Sequence, residues 1–276
     1  MMSYDQTLTR VETYFDQTAT KTWERLTSDA PVSKIRETVR QGRDQMRATL
    51  LAELPEDLHG ARVLDAGCGA GPTTVELAAR GAHVVAIDIS PALIDIARQR
   101  LPRALSKQVE FCSGDMLAAS LGSFDYVVAM DSLIYYSADD IKTALTGLAK
   151  RTSGSVMFTV APRTRMLMAM WYAGKLFPRS DRSPVMVPHA PAALAALLQG
   201  EGRLRDLGRI KSGFYISQAL GLRHEPEKAP SADPADGAHA AFRRCCVRGV
   251  AAGQIAALVV VSSFGWHGQR DAFGHA

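Results

Sequence analysis

Apolar residues recur every three or four positions near the start of the chain, which is the spacing of an amphipathic helix. One apolar stripe runs from Leu8 to Leu26, and a second runs from Val32 to Leu54. Pro55 and Gly60 follow the second stripe and end this helical pattern. The sequence therefore predicts an N-terminal helical cap, or substrate arm, over residues 1–58.

The second stripe also carries five basic residues on its other faces. They are Lys34, Arg36, Arg40, Arg43 and Arg47. A basic helix face either binds anions or lies in solvent. We interpret this one as a solvated face.

Between residues 61 and 161, short β-branched runs alternate with helical stretches, which is typical of βαβ units around a parallel sheet. The predicted strands are 62–66, 83–88, 109–113, 124–130 and 155–161, and the predicted helices are 73–80, 91–101 and 139–151. Two more strands, 206–212 and 214–220, predict a terminal antiparallel hairpin joined at Gly213. The predicted fold class is α/β, with a mostly parallel, doubly wound, Rossmann-like sheet over residues 59–223.

Two segments depart from this regular pattern. Residues 163–189 contain the apolar stretch MLMAMWYAGKLF followed by several prolines, and we expect an insertion that forms a lid over the carboxyl edge of the sheet. Residues 224–276 begin with a region rich in Ala, Pro and charge that has few large aliphatic side chains. We expect this tail to be disordered or loosely attached.

Composition and charge exclude several classes of protein. Hydrophobic residues make up 47% and charged residues 22%, which is ordinary for a globular protein, and a net charge of +4 does not indicate a nucleic-acid binder. The four cysteines form neither a CxxC pair nor a zinc-ligand spacing, so we expect no metal site and a reducing cytoplasm. The N-terminus lacks the apolar core of a signal peptide, and the most apolar run, 255–264, is about half of a membrane span. We therefore expect a cytoplasmic protein.

The most informative motif is VLDAGCGAG, residues 63–71, at the predicted turn from the first strand to the first helix. A dinucleotide fingerprint requires GxGxxG, but counting from Gly67 puts Pro72 at the third glycine. The remaining spacing is D-x-G-x-G-x-G, formed by Asp65, Gly67, Gly69 and Gly71. It resembles the first motif of class I S-adenosylmethionine-dependent methyltransferases.

This motif has a physical logic for that cofactor. The glycines, with Cys68 among them, keep the loop open so that the amino-acid part of the cofactor lies against the backbone. Asp65 at the strand end is expected to contact the cofactor ammonium directly or through water.

Acidic residues also follow the other predicted parallel strands. Asp88, before Ile89, is expected to accept hydrogen bonds from both ribose hydroxyls. Asp115 is expected to receive the adenine amino group while Met116 packs on the ring, and Asp131 completes the series. Carboxyl ends of parallel strands share the edge where open α/β sheets bind ligands, so we predict a cofactor site there. The alternatives are an unspecified nucleotide site and, for Asp115 and Asp131, a turn or helix cap.

Four further stretches, residues 10–26, 32–47, 127–136 and 174–189, resemble the magnesium-protoporphyrin IX O-methyltransferases of bacteriochlorophyll synthesis. The resemblance extends from residue 4 to about residue 223. It implies transfer of the methyl group of S-adenosylmethionine to a propionate carboxylate of magnesium-protoporphyrin IX, giving the monomethyl ester. Magnesium is then required only as part of the porphyrin. The resemblance also implies contact with the large porphyrin-binding subunit of magnesium chelatase and peripheral association with photosynthetic membranes.

The same resemblance implies catalytic residues, and the chemistry of the insertion suggests residues that bind the substrate. The catalytic tyrosine of the N-terminal arm corresponds to Tyr14, and Tyr135 occupies a position that is histidine in oxygenic relatives. We expect these hydroxyls to orient the propionate or to reach the magnesium through a water, with core packing as the alternative. The insertion offers aromatic and basic side chains for a flat, anionic macrocycle: Arg163, Arg165, Trp171, Tyr172, Lys175, Arg179, Arg182 and His189.

The expected reaction requires alignment more than proton transfer. A propionate with a pKa of about 4.3 is already ionised at neutral pH, so attack on the sulfonium methyl requires no strong general base. The sequence leaves two other functions open. One is a class I methyltransferase acting on a quinone, a sterol or a small carboxylate, and the other is a noncatalytic porphyrin carrier.

Overall fold

A computed structural model describes residues 4–14, 34–165, 167–169, 172 and 186–223. Seven strands form a single sheet within these residues. They are β1 (Arg62–Ala66), β2 (His83–Asp88), β3 (Val109–Ser113), β4 (Phe124–Ala129), β5 (Thr152–Val160), β6 (Arg203–Ser212) and β7 (Tyr215–Arg223). Their order across the sheet is β3-β2-β1-β4-β5-β7-β6.

Six α-helices that are described along their whole length flank or precede this sheet. They are α1 (Tyr4–Tyr14), α2 (Lys34–Leu51), α3 (Pro72–Ala79), α4 (Pro91–Arg100), α5 (Ala138–Ala149) and α6 (Pro191–Leu197). α4 begins as its sequence predicts, because Ser90 Oγ accepts a hydrogen bond from the backbone N–H of Leu93 and Pro91 is the first helical residue.

Strands β1 to β5 are parallel, and β7 joins β5 in antiparallel orientation before pairing with β6 as a hairpin. The predicted α/β fold with a terminal hairpin is confirmed. The strand order reverses between β1 and β4, which places a crevice at their carboxyl ends. The loops after β1, β2, β3 and β4 all reach this edge.

The hairpin is longer than its sequence pattern predicts. β6 begins at Arg203 and β7 ends at Arg223, so each strand extends three residues beyond the expected limit. The pairing register shifts between Asp206 and Gly208, and Gly208 has a φ of 113°. This bulge interrupts the two-residue alternation that reveals a strand in sequence.

Helix α2 shares the hydrophobic core of the sheet. Val39, Met46 and Leu50 are fully buried in the same cluster as Val127 and Phe158. The predicted boundary at residue 58 therefore separates elements that have one common core. From Val39 to Leu50 the apolar stripe that predicts α2 is the face that packs inward, whereas Ile35 near the start of the helix is exposed.

None of the helices in the described ranges is long and apolar enough to cross a membrane. The expectation of a disordered tail over 224–276 lies outside the described residues, as do positions 15–33 of the predicted N-terminal cap.

Candidate active site

The glycine loop after β1 is an open backbone turn. Gly67, Gly69 and Gly71 have φ values of 82°, 55° and 85°, in a region that side chains other than glycine rarely adopt. A Cβ atom built on Gly69 meets no atom within 4 Å, whereas one on Gly71 lies 3.1 Å from Ala97 Cβ. Gly69 thus leaves space for a ligand, and Gly71 permits close packing of α3 on α4.

Cys68 lies within this loop, buried and 6% exposed. Burial raises the pKa of its thiol well above the ordinary value, and nearby carboxylates add to the shift. The thiol therefore remains protonated and supplies packing, not a nucleophile.

Asp65 lies buried at the end of β1, beneath the loop. Its Oδ2 atom accepts a hydrogen bond from the Thr74 hydroxyl at 2.6 Å. Burial raises the pKa of the carboxyl group to about 7, and the neighbouring Asp88 carboxylate contributes to the rise. A cation placed beside Asp65 would offset this cost of ionisation, so the site is suited to an ammonium group.

Asp88 connects the ends of β1 and β2. Its Oδ2 accepts from the backbone N–H of Gly69 at 2.8 Å, and its Oδ1 accepts from the N–H of Ser90 at 3.0 Å. Ile89, the next residue, is 1% exposed. The acid predicted to bind ribose is therefore fixed beside the open glycine.

The loop after β3 reaches the same edge. The backbone N–H of Gly114 donates to the Asp88 carbonyl at 2.9 Å, and Asp115 Oδ1 accepts from the N–H of Leu117 at 2.8 Å. Met116 is buried beside them. The structure thus brings Asp65, Asp88 and Asp115 to one edge of the sheet, although ligand contact by each remains a prediction.

Asp131 is the centre of a buried polar cluster. Its φ of 57° places a non-glycine residue in the left-handed region. Its carboxylate accepts hydrogen bonds from Thr159 at 3.1 Å, Ser217 at 3.3 Å and the Tyr215 hydroxyl at 3.1 and 3.2 Å. Through these hydrogen bonds Asp131 connects β5 and β7 to the loop after β4, which is a structural role. Contact between Asp131 and the cofactor remains a prediction.

The expectation of a solvated basic face on α2 is wrong for two arginines. Arg43 donates to Asp131 at 3.0 Å and its side chain is 12% exposed. Arg47, one turn later, contacts Glu76 of α3 and pairs with Asp44 at 2.8 Å. The sequence shows these cations on one helix face, but two of their acidic partners, Asp131 after β4 and Glu76 on α3, come from distant segments of the chain.

The two predicted catalytic tyrosines lie in the same region. Tyr14 ends α1 and is partly buried, while Tyr135 is 5% exposed after β4. Burial raises the pKa of Tyr135 well above its ordinary value, and Tyr14 and Asp131 contribute, whereas Arg43 opposes the rise. The Tyr135 hydroxyl therefore remains a neutral hydrogen-bond donor at physiological pH.

The ends of the predicted insertion meet beside the loop after β4. His189 donates its backbone N–H to the Ala161 carbonyl at 2.8 Å and accepts from the N–H of Arg163 at 2.9 Å. The N–H of Val187 donates to the Ile134 carbonyl at 2.8 Å. The segment 163–189 therefore starts and finishes beside the end of β5, and Val187 near its end contacts the loop after β4 that carries Tyr135.

The predicted substrate residues divide into three groups. Arg163, Arg165 and Tyr172 are exposed. His189 is buried, and its Nε2 atom lies 2.9 Å from the Tyr136 carbonyl oxygen. Burial also lowers the pKa of its imidazole. We therefore interpret His189 as a neutral residue with a structural role. The remaining four lie outside the described residues: Trp171, Lys175, Arg179 and Arg182.

The chemistry of this edge fits a nucleoside with a charged amino-acid arm. The bare loop leaves space at Gly69, a buried acid lies below it, and Asp88 and Asp115 follow in order along the sheet. Within the described ranges, no group of three His, Cys, Asp or Glu side chains is placed to hold a metal ion. A glycine loop and strand-end acids on a sheet of this order define a class I S-adenosylmethionine-dependent methyltransferase.

Comparison with known proteins identifies the family. The family described as "Magnesium-protoporphyrin IX methyltransferase C-terminus" matches residues 129–224, and a general methyltransferase domain matches residues 63–153. The magnesium-protoporphyrin O-methyltransferase of Rhodobacter capsulatus is 60% identical over 222 residues, covering 80% of this chain and 98% of that protein. The chain belongs to the magnesium-protoporphyrin O-methyltransferase family.

A more distant relative supports the same conclusion. The magnesium-protoporphyrin O-methyltransferase of Synechocystis is 30% identical, covering 77% of this chain and 94% of that protein. The crystal structure of magnesium protoporphyrin IX methyltransferase from Synechocystis with bound SAH (S-adenosylhomocysteine) superposes with a TM-score of 0.67 at 29% identity. That alignment covers 79% of this chain and 99% of the crystallised one.

Proposed function

We propose that this protein transfers the methyl group of S-adenosylmethionine to a propionate carboxylate of magnesium-protoporphyrin IX, forming the monomethyl ester. The observation that carries the proposal is 60% identity to the Rhodobacter capsulatus enzyme over 98% of its length. The relative with bound SAH supports S-adenosylmethionine as the methyl donor. The family match at 129–224 favours this substrate over a quinone, a sterol or a small carboxylate.

On the donor side, the proposed roles follow the strand ends. When bound, S-adenosylmethionine supplies a methyl carbon attached to a positively charged sulfur. The glycine loop lies against the amino-acid arm, Asp65 pairs with its ammonium and Asp88 accepts hydrogen bonds from the ribose. Asp115 accepts from the adenine amino group while Met116 packs on the ring.

On the acceptor side, Tyr14 and Tyr135 donate hydrogen bonds to the propionate carboxylate. Because the propionate is already ionised, these donors orient the nucleophile and no base is needed. Holding oxygen, methyl carbon and sulfur in line supplies about 7 to 11 kcal/mol through proximity and orientation. The N-terminal cap and the 163–189 insertion exclude water from this reaction.

Product formation tests the proposed reaction. We would incubate purified protein with methyl-labelled S-adenosylmethionine and magnesium-protoporphyrin IX and separate the products by chromatography. We expect labelled monomethyl ester and no diester. Metal-free protoporphyrin tests whether the metal is recognised, and a hydroxylated quinone tests the alternative methyltransferase. Tight porphyrin binding without any affinity for SAH would instead favour the carrier function.

The tyrosine roles predict a specific kinetic effect. Tyr14→Phe and Tyr135→Phe each remove one donor to a charged oxygen, so we expect kcat to fall about 10- to 100-fold while SAH affinity is unchanged. Tyr126→Phe, on β4 and without a proposed role, serves as the control. Unchanged turnover in both variants would show that the two tyrosines only pack in the core.

We also propose that the substrate is received from the large porphyrin-binding subunit of magnesium chelatase and that the protein associates peripherally with photosynthetic membranes. The family resemblance supports both associations. Co-purification with the chelatase subunit and flotation with vesicles containing anionic lipid test them separately. Absence of binding in either assay would remove that association.

A further inference from the structure

The connection between β3 and β4 differs from the other connections between parallel strands. Helices α3, α4 and α5 link the neighbouring parallel strands and satisfy most of their own backbone carbonyls. In residues 114–123 the helical structure is limited to one 3₁₀ turn, Ala119–Leu121. Carbonyls in such a loop require donors from elsewhere when they are removed from water.

Arg151 supplies those donors. It lies between α5 and β5, and its Nη1 donates to the Ala118 carbonyl at 2.7 Å while its Nη2 donates to the Met116 carbonyl. Its guanidinium lies 5.8 Å from the centroid of the Phe124 ring. The fork of the guanidinium thus holds two carbonyls of one short loop, a geometry that a lysine does not reproduce.

The surroundings of Arg151 show that this contact is its main interaction. Its Nε atom is buried and has no hydrogen-bond partner among the described residues. Burial lowers the pKa of the guanidinium, the Asp115 carboxylate opposes that shift, and the neighbouring Arg62 cation adds to it. A partly desolvated cation is therefore held under the loop, attracted to the acid at its start.

The same loop carries the proposed adenine residues. Asp115 accepts from the N–H of Leu117, and the N–H of Ala118 donates to the Asp115 carbonyl at 3.0 Å. Residues 115–118 therefore form a compact turn, and Arg151 donates hydrogen bonds to the carbonyls of Met116 and Ala118 in this turn. Movement of the guanidinium would displace the Asp115 carboxylate and the Met116 side chain together.

We infer that Arg151 is a positioning residue for purine recognition, acting through the carbonyls of Met116 and Ala118 on the adenine-binding turn. This inference rests on the proposed function, because it assumes that Asp115 and Met116 bind adenine. Arg151 touches neither the cofactor nor the porphyrin in this assignment. Its effect is confined to the affinity for the nucleoside.

The chain offers a matched control in Arg62. Its guanidinium lies 4.5 Å from the centroid of the same Phe124 ring, and its Nη1 donates to the Ser123 carbonyl at 2.6 Å. Ser123 is at the far end of the loop, directly before β4. Arg62 therefore shares the ring contact and the carbonyl contact but does not hold the adenine turn.

The experiment compares Arg151→Met, Arg151→Lys and Arg62→Met in the full-length protein. Calorimetry measures the Kd of SAH and of 5′-methylthioadenosine, fluorescence quenching measures magnesium-protoporphyrin binding, and thermal melting measures stability. For Arg151→Met we expect SAH and methylthioadenosine to bind about 10-fold or more weakly, with KM for S-adenosylmethionine raised in parallel. We expect kcat at saturating donor and porphyrin affinity to stay within about 3-fold of the wild type.

The lysine variant and the control separate positioning from general stability. Arg151→Lys keeps the charge but loses the fork, so we expect an intermediate loss of SAH affinity. Arg62→Met is expected to leave SAH affinity within about 2-fold even where melting falls, because the Arg62 guanidinium donates to the Ser123 carbonyl and not to the carbonyls of Met116 and Ala118. Equal SAH affinity in wild type and both Arg151 variants, or equal losses in Arg151→Met and Arg62→Met, would overturn the inference. Should Arg151→Met not fold, the lysine variant decides alone, and a wild type that does not bind SAH would instead overturn the proposed function.

Discussion

The carboxyl group of Asp65 lies buried under the glycine loop with a pKa of about 7. In an unfolded chain the same group ionises near pH 4, so the folded state retains its proton to a higher pH. Folding stability therefore falls as the pH rises from about 4 to about 7, because the unfolded state ionises first. An ammonium group bound beside Asp65 has the opposite effect on its pKa, because the positive charge stabilises the ionised carboxylate.

This linkage predicts pH-dependent cofactor binding. We expect the Kd of SAH to fall by up to about 10-fold per pH unit between pH 5.5 and 7 and to level off by pH 7.5, because binding releases the Asp65 proton. Calorimetry in buffers of different ionisation enthalpy measures both the affinity and the released proton. Asp65→Asn is expected to bind more weakly at pH 7.5 and to lose the pH dependence. A wild-type Kd that is constant over this range would contradict the assignment.

Asp131 makes a different contribution, because its charge is compensated within the protein. Its carboxylate pairs with Arg43, and the two side chains are 2% and 12% exposed. Removing Asp131 takes away a carboxylate that compensates the buried Arg43 cation, and it also removes the acceptor of several buried hydroxyl groups.

We therefore expect Asp131→Ala to lower the free energy of unfolding by about 3 to 5 kcal/mol, measured by urea denaturation. The double variant Asp131→Ala/Arg43→Met removes both charges and should recover part of this loss. A loss below about 1 kcal/mol in Asp131→Ala would show that the Arg43–Asp131 pair contributes no more than an exposed ion pair.

At the scale of elements, helix α2 is fixed on the β6–β7 hairpin at close range. Ser212 Oγ donates to the Thr38 carbonyl at 2.7 Å. A Cβ atom on Gly42 would lie 2.6 Å from Tyr215 Cδ1 and 3.0 Å from Ser212 Cβ. The Tyr215 ring cannot easily move away, because its hydroxyl donates to Asp131.

Gly42→Ala therefore tests this packing. Alanine gains up to about 1 kcal/mol in helix propensity, but we expect the clash with Tyr215 to outweigh it and to lower stability by about 1 to 2 kcal/mol. The matched control is Gly147→Ala in α5, where a Cβ meets no atom within 4 Å, so stability should rise. Equal stabilisation of both variants in thermal melting would mean that α2 is not held tightly against the hairpin.

At the scale of the whole molecule, the described core is complete before residue 224. The seven strands end at Arg223, the family match ends at residue 224, and the 222 residues aligned with the Rhodobacter capsulatus protein cover 98% of it.

We therefore expect a chain ending at Arg223 to retain the melting temperature and the methyltransferase activity of the full chain, within about 2-fold in kcat/KM. Melting curves and the labelled-ester assay measure the two properties. A truncated protein that folds but does not form the ester would show that residues 224–276 contribute to function.

The sequence predicts the fold class and the family, and both are confirmed. The glycine spacing and the acids after successive strands predict the edge of the sheet where the cofactor binds, because a parallel sheet brings its strand ends together. Strand limits are less well predicted where a bulge interrupts alternation, as at Asp206 and Gly208 in β6. The individual ligand contacts of the acids and tyrosines remain predictions.

The sequence by itself determined what depends on near neighbours: the helix starts, the alternation of buried strands and the positions where only glycine fits the backbone. The tertiary structure alone decided which charges are buried and what compensates them. Arg43 meets Asp131 across 88 positions of the chain, and Arg151 meets the Met116 carbonyl across 35. Such partners are chosen by strand order and loop path, and the energy of each charge depends on its burial, which no local pattern records.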